Sequence, residues 1–362
     1  MDKIKLGIIG CGDIAFRSYL PALRKLGDRV ELLATCDLDL ARAGQARQEY
    51  GAQASFARAD ELLAMSDLDG VVILTPMRTH GALSIAALEA GLHVYVEKVM
   101  AITLDEADRM VELAEQNGLI LACAPSTILA SAYQRVKELI QAGEIGRVCF
   151  MHALGAHGGP ARWDDYTSDP TWFYQEGGGP LFDLAVYPVQ ILTQLFGPVR
   201  RVTAFSGLAV PEVVMTARKV RGQTLKVQVD DTTPMILDFG DAIFASIDAS
   251  YNMLSSRLPA MQIWGSEGAL TAPQFLGDEV GMWRRGDAEW HITHLPPSLY
   301  DELGLASGLL HWLDCIREGK QPINNGRHAR HVLDVLLSAQ ESARTGLAQV
   351  LTTHFDWPGK SD

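Results

Sequence analysis

Over the first 124 residues, short β-rich runs alternate with helical stretches, and nothing else in the sequence constrains the fold as strongly. Strand-like runs occur at Lys3–Gly10, Val30–Cys36, Ala54–Phe56, Gly70–Thr75, Leu92–Glu97 and Leu119–Ala124. Helical patterns lie between them at Ile14–Leu26, Leu38–Tyr50, Ala59–Met65, Thr79–Ala90 and Thr103–Asn117. Gly70–Thr75 reads GVVILT, apolar on both faces, as a strand buried between helix layers must be. Gly91 and Gly118 stand where the preceding helices need a stop. Such repeats demand parallel strands joined by right-handed crossovers, so residues 1–124 are predicted to form a doubly wound α/β domain.

The pattern changes after Pro125. Ile128–Ala142 reads as a helix and Arg147–Ala156 as a strand, followed by a Gly/Pro/aromatic-rich loop over His157–Gly179 and a helix to Phe196. From Val199 to about His294 the chain is strand-rich, with tight turns such as Phe239-Gly240-Asp241 and Ser266-Glu267-Gly268. Strands joined by such turns pair antiparallel. Helices are expected again at Leu305–Glu318 and Arg327–Ala343, so residues 125–362 are predicted to form an α+β domain whose neighbouring strands pair antiparallel.

Composition narrows the class of partner. With 31 Lys+Arg against 44 Asp+Glu the net charge is −13, which argues against a nucleic-acid or anionic-membrane surface. Apolar runs fall far short of the ~20 residues that span a bilayer, and the opening residues do not read as a signal peptide. Five scattered cysteines, none in a CxxC spacing, suit free thiols in a reducing cytoplasm. His291-x-x-His294 and His328-x-x-His331 have metal-like spacing but lack a supporting Cys or HExxH frame, so no metal is expected.

The motifs that carry chemistry fall at strand ends. Gly10-Cys11-Gly12-Asp13-Ile14-Ala15 is a G-x-G-x-x-A sequence between the first strand and first helix. There a tight turn, a close backbone approach and unpaired helix N–H groups together suit a dinucleotide pyrophosphate. Asp37, at the end of the second strand, can accept both ribose hydroxyls and repel a 2′-phosphate, which favours NAD while leaving NADP open through Arg42. It also reads as an ordinary helix-capping acid, with Asp39 competing for either role. Thr75, Pro76 and His80 follow the fourth strand, and Glu97-Lys98 the fifth, all at the carboxyl edge where such sheets bind ligands. Gly177-Gly178-Gly179-Pro180 opens a helix that carries Asp183 and, at i,i+4 spacing, Tyr187. Taken singly, Glu97-Lys98 also reads as a surface dipeptide, and Asp183 with Tyr187 as a helix-terminal acid and an interfacial ring.

Together these motifs resemble the glucose–fructose oxidoreductase / inositol dehydrogenase / rhizopine-catabolism (Gfo/Idh/MocA) family, and the resemblance covers nearly the whole chain. It implies a Rossmann domain followed by an α+β domain with an open, mainly antiparallel sheet, which builds homodimers or homotetramers. It also implies NAD(P)-dependent oxidation or reduction of a hydroxyl or keto group on a sugar, polyol or related cyclic alcohol. By position, Lys98 matches the family lysine, Asp183 its substrate-side aspartate, and Tyr187 a position that is His or Tyr. Val99 stands where the family usually carries Pro.

The loop residues Trp163 and Tyr166 suit stacking on a sugar ring, and equally suit anchoring the loop itself. His328 is a further substrate-side candidate. Two other function classes remain open: an NAD-dependent glycosidase working by transient oxidation and elimination, and a non-catalytic nucleotide-binding regulator.

Overall fold

The computed structural model describes residues 2–273 and 277–357. The chain divides into two compact units, Met1–Ser126 with Leu303–Leu333, and Thr127–Glu302 with Asp334–Asp362.

The first unit is built on six parallel strands: β1 (Ile4–Ile9), β2 (Val30–Cys36), β3 (Ala54–Phe56), β4 (Gly70–Ile73), β5 (His93–Val96) and β6 (Leu121–Cys123). Their spatial order is β3-β2-β1-β4-β5-β6. Every residue of β4 is buried, as a strand covered on both faces requires. The order reverses between β1 and β4, which opens the crevice at the carboxyl ends where doubly wound sheets take their ligands. Helix ends follow local chemistry. Gly51 and Gly91 adopt positive φ just past two helices. Thr103 caps helix Leu104–Gln116, accepting the Glu106 N–H at 3.3 Å while Glu106 accepts the Ile102 N–H at 3.4 Å.

A division into two contiguous halves at residue 124 misses one feature of this unit: the chain returns to it late. Helix Ser307–Glu318 places the fully buried Trp312 against Tyr95 of β5, ring centroids 5.9 Å apart, and the indole donates to Ile120 O at 3.2 Å. Gly70 leaves the room, because a Cβ there would lie 3.0 Å from the indole. Asn324 donates to Cys123 O at 2.7 Å and to Ser126 Oγ at 2.9 Å, completing the polar edge of β6. The sequence pattern of these helices is amphipathic in the same way whichever sheet they cover, so only the fold decides their partner.

The second unit carries a sheet of nine strands: β7 (Val148–Ala156), β8 (Arg201–Ala204), β11 (Thr232–Gly240), β12 (Ile243–Ser250), β13 (Met261–Gly265), β14 (Gly268–Ala272), β15 (Glu279–Arg284), β16 (His291–His294) and β17 (Gln349–Val350). The order is β16-β15-β14-β13-β7-β12-β11-β8-β17, antiparallel throughout except for the β7–β12 pair. Two short strands, β9 (Glu212–Val214) and β10 (Thr224–Lys226), form a separate hairpin arm. β11 alternates buried and less buried residues, the signature of a sheet with one covered face. Helix Val186–Phe196 covers that face. Its approach is close because Gly155 of β7 has no side chain: a Cβ there would sit 2.9 Å from the Ala185 backbone. The opposite face keeps Phe150 and Phe244, paired in register, partly exposed.

Candidate active site

In the first unit the glycine-rich turn is held against the switch point. Gly10 has φ +99°, and a Cβ on it would lie 2.7–2.9 Å from the Leu74 and Thr75 backbone, so no other residue fits there. The following helix begins at residues 13–14 and passes through a π-helical turn at Ala15–Tyr19. Asp13 turns its buried carboxylate onto Arg17 Nε at 2.8 Å, one helical turn on.

Asp37 sits between the glycine turn and the next helix. Its Oδ2 accepts the Cys11 N–H at 2.8 Å and its Oδ1 the Asp39 N–H at 2.9 Å. The capping role that competed for Asp37 belongs to Asp39, whose carboxylate accepts the Ala41 N–H at 3.1 Å. Arg42 pairs with Asp39 at 3.6 Å. Burial, reinforced by Asp37, pushes the Cys11 thiol up to about 12, so it stays protonated and inert.

The loops after β4 and β5 are tied together by His80, which is fully buried. Its Nδ1 lies 2.7 Å from Val99 O and its Nε2 2.7 Å from Thr75 O. Burial is the largest influence on this ring and lowers its pKa; the two carbonyls and Glu97 act the other way. The neighbouring turn is braced again by Thr79 Oγ1, which lies 2.8 Å from both Thr75 Oγ1 and Pro76 O.

Glu97 is engaged twice. Its Oε1 accepts the Tyr19 hydroxyl at 2.5 Å, and its Oε2 accepts the Lys98 N–H at 3.1 Å. Burial and the Glu97 charge hold the Tyr19 phenol well above its ordinary pKa, so it keeps its proton to donate to Glu97. Lys98 is half-buried, and the Lys98–Val99 peptide is cis. Nothing in the sequence marks Tyr19 as a partner of Glu97, since 78 residues separate them.

In the second unit Gly177 and Gly179 both take positive φ, and a Cβ on Gly178 would strike Phe173 O at 2.5 Å. This packed turn leads into Pro180–Asp183, which ends before a second helix begins at Val186. Asp183 and Tyr187 therefore do not share one continuous helix as their spacing predicts. The Tyr187 N–H bonds Leu184 O at 3.2 Å instead of Asp183 O. Asp183 is 5% exposed, and Tyr187 is buried beside it in sequence.

Asp183 Oδ2 accepts the hydroxyl of Tyr251 at 2.8 Å, a partner the sequence did not suggest. The Tyr251 ring continues into an aromatic ladder. His157 stacks on it with centroids 6.0 Å apart, and Trp163 stacks on His157 at 5.4 Å. Trp163 is 45% exposed, whereas Tyr166 is buried and meets Phe173 edge-on at 6.1 Å. Of the two loop aromatics, Trp163 alone offers a ring face to solvent. The β9–β10 arm clamps this loop from outside: Thr216 N–H donates to Ala161 O at 2.8 Å and Arg218 N–H to Tyr166 O at 3.2 Å.

His328 lies in the first turn of helix Gly326–Thr345 and is 1% exposed. Burial, with His331 beside it, pushes its pKa down to about 3, so the ring is neutral near pH 7 and presents no face to a substrate. His291 and His294, three apart on a strand, point to opposite faces and pair with Asp287 and Asp278. Among the described residues no group of three or more His, Cys, Asp or Glu is placed to hold a metal ion. Among them, too, no helix is long and apolar enough to cross a membrane.

Two family models match the chain. Residues 4–124 match an oxidoreductase family with an NAD-binding Rossmann fold, and residues 133–271 match the GFO/IDH/MocA C-terminal domain. A dTDP-3,4-didehydro-2,6-dideoxy-alpha-D-glucose 3-reductase of Streptomyces violaceoruber is 31% identical over 77% of this chain and 75% of its own length. The scyllo-inositol 2-dehydrogenase (NAD(+)) of Bacillus subtilis is 25% identical over 95% of both chains. In fold, the chain resembles levoglucosan dehydrogenase solved with NADH and L-sorbose, with a TM-score of 0.84 at 20% identity over 98% of this chain and 100% of the other.

Proposed function

The chain belongs to the GFO/IDH/MocA family of NAD-binding oxidoreductases, and from that premise we propose that it interconverts a hydroxyl and a keto group on a sugar, polyol or related cyclic alcohol. The observation that carries this reading is the Gly10 turn: at φ +99° it packs on the Leu74–Thr75 backbone with no room for a Cβ, and it turns the chain from the end of β1 into a helix start at residues 13–14. Unpaired N–H groups of a helix start at the carboxyl edge of such a sheet suit a dinucleotide pyrophosphate.

The residues fit a dinucleotide. Gly10 and Gly12 supply the turn, Asp13 and Ile14 supply backbone N–H groups at a helix start, and Asp37 a carboxylate for the ribose hydroxyls. Thr75, Pro76, His80 and Glu97 shape the loops beside them. The fixed Asp37 carboxylate favours NAD, because it would meet a 2′-phosphate with like charge. When bound, the nicotinamide supplies the hydride chemistry. The chain supplies the rest: Lys98 a positive charge, Asp183 a carboxylate that accepts a substrate hydroxyl, and Tyr187 the group that exchanges a proton with the reacting oxygen. An ordinary phenol, with pKa near ~10, is a poor base at neutral pH, so the chemistry requires a positive charge near the phenol to favour its ionised form. Trp163 offers its exposed ring to the apolar face of a sugar.

Two finer readings accompany this one. The partly exposed row of Phe150, Phe244 and Trp264 on the open sheet face suits a homodimer or homotetramer. Five unpaired cysteines, four of them buried, suit a reducing cytoplasm.

The test is a screen of NAD and NADP reduction against sugars, inositols, sugar acids and diols. The proposal expects NADH to accumulate with at least one of them. Net hydrolysis of a glycoside without NADH would point to the glycosidase chemistry instead, and nucleotide binding without turnover to a regulator.

A further inference from the structure

Tyr251 follows β12 and is 1% exposed, yet no chemical motif contains it. Its hydroxyl donates to Asp183 Oδ2 at 2.8 Å across 68 residues of sequence. The ring is fixed on several sides. His157 stacks on it at a tilt of 18°, and Tyr174 lies with its centroid 5.1 Å away. The backbone is fixed as well: the Tyr251 N–H donates to Asp231 O at 3.0 Å, and Arg162 Nη1 donates to Tyr251 O at 3.2 Å. Asp231 is itself locked, accepting the Ala209 and Val210 N–H groups at 2.8 Å each.

Burial and the Asp183 charge raise the phenol well above its ordinary pKa, so Tyr251 does not give up its proton near neutral pH. It is a permanent donor, held rigidly, aimed at one oxygen of one carboxylate. His157 is constrained to match, since its Nδ1 accepts the Gly159 N–H at 2.8 Å, which leaves the ring proton of its neutral form on Nε2.

We propose that Tyr251 is a positioning residue for substrate turnover: its hydroxyl fixes the rotamer of Asp183 so that the carboxylate meets the substrate hydroxyl in one orientation. This rests on the reading, proposed above, that Asp183 binds the substrate. Orientation matters at this scale because small misplacements of a reacting group cost large factors in rate. A hydrogen bond to a charged group is also among the stronger kinds.

The test compares wild type, Tyr251→Phe, Asp183→Ala and the double variant, using NAD with the most active of myo-inositol, D-glucose, D-galactose and D-glucuronate. Phe keeps the ring and its stacking, so the melting temperature serves as the control for packing. Y251F is expected to lower kcat/KM about 10- to 100-fold, chiefly in kcat, with the NAD dissociation constant unchanged. In the D183A background it should add less than about twofold. An equal loss in both backgrounds overturns the proposal and leaves the role of Asp183 intact. Full turnover in D183A overturns the underlying reading instead. A crystal structure supplies the readout that needs no substrate: in Y251F the Asp183 carboxylate should turn from its wild-type rotamer, and retention of that rotamer overturns the proposal.

Discussion

The Tyr19 hydroxyl donates to the Glu97 carboxylate at 2.5 Å, so the helix that follows the glycine turn is moored to the carboxyl end of β5. The π-helical turn at Ala15–Tyr19 brings Tyr19 to this position, a geometry often met near functional sites. Tyr19→Phe leaves a carboxylate oxygen without its donor. We expect a loss of about 1–3 kcal/mol in unfolding free energy and severalfold weaker NAD binding, read by urea denaturation and fluorescence titration. Unchanged values in both would show that the mooring is idle.

Lys98→Met keeps the length of the side chain and removes its charge. Turnover should fall by about 10²–10⁴-fold while NAD affinity moves by only a few-fold. Steady-state rates with a parallel binding isotherm separate the two, and wild-type turnover in the variant would remove Lys98 from the mechanism.

Asp37→Ser removes the carboxylate from the end of β2. The ratio of kcat/KM for NAD over NADP should drop by about tenfold or more, as the repulsion toward a 2′-phosphate disappears. The Cys11 N–H also loses its acceptor, so some stability goes with it. An unaltered ratio would mean that Asp37 only braces the glycine turn.

His328 carries a pH signature. Its folded pKa of about 3 lies below the ordinary value of 6.5, so the unfolded chain binds the extra proton between these limits. The native state keeps its full advantage above pH 6.5 and loses it progressively as pH falls toward 3. In denaturation series at pH 7.5 and 5.5, His328→Gln should flatten the average slope by about 0.7 kcal/mol per pH unit. A slope identical to wild type would mean that the ring is not buried neutral.

Phe150→Asp places a charge in the row of rings on the open sheet face. Light scattering should report conversion of an assembly to a monomer, with the fold intact by circular dichroism. Wild-type mass in the variant would exclude this face from the interface.

What was legible in the sequence was what local chemistry dictates. The glycine turn, the strand buried on both faces at Gly70–Ile73 and the helix stops at Gly91 and Gly118 depend on neighbours a few residues away. The placement of Asp37 was half legible: its position after β2 was clear, but only the fold shows Asp39 taking the cap and leaving Asp37 to the glycine turn. Tyr19 with Glu97 and Tyr251 with Asp183 left no trace, because each pair is joined by tertiary packing across scores of residues. The break at Leu184–Ala185 was hidden for a related reason. It is bound up with the seating of a helix on Gly155, a strand residue far upstream. His328 looked accessible because a helix start after a glycine turn carries no record of what will cover it.

The late return of Trp312 and Asn324 to the first sheet has a consequence for the order of events at the ribosome. When β6 emerges during synthesis, the indole that will lie on Tyr95 and the amide that will bond Cys123 are still almost two hundred residues from being made. The nucleotide-binding half must therefore wait, incompletely sheathed, until nearly all of the polypeptide has been translated, and a fragment cut after its last strand would expose an aromatic ring and a strand edge that the whole molecule hides.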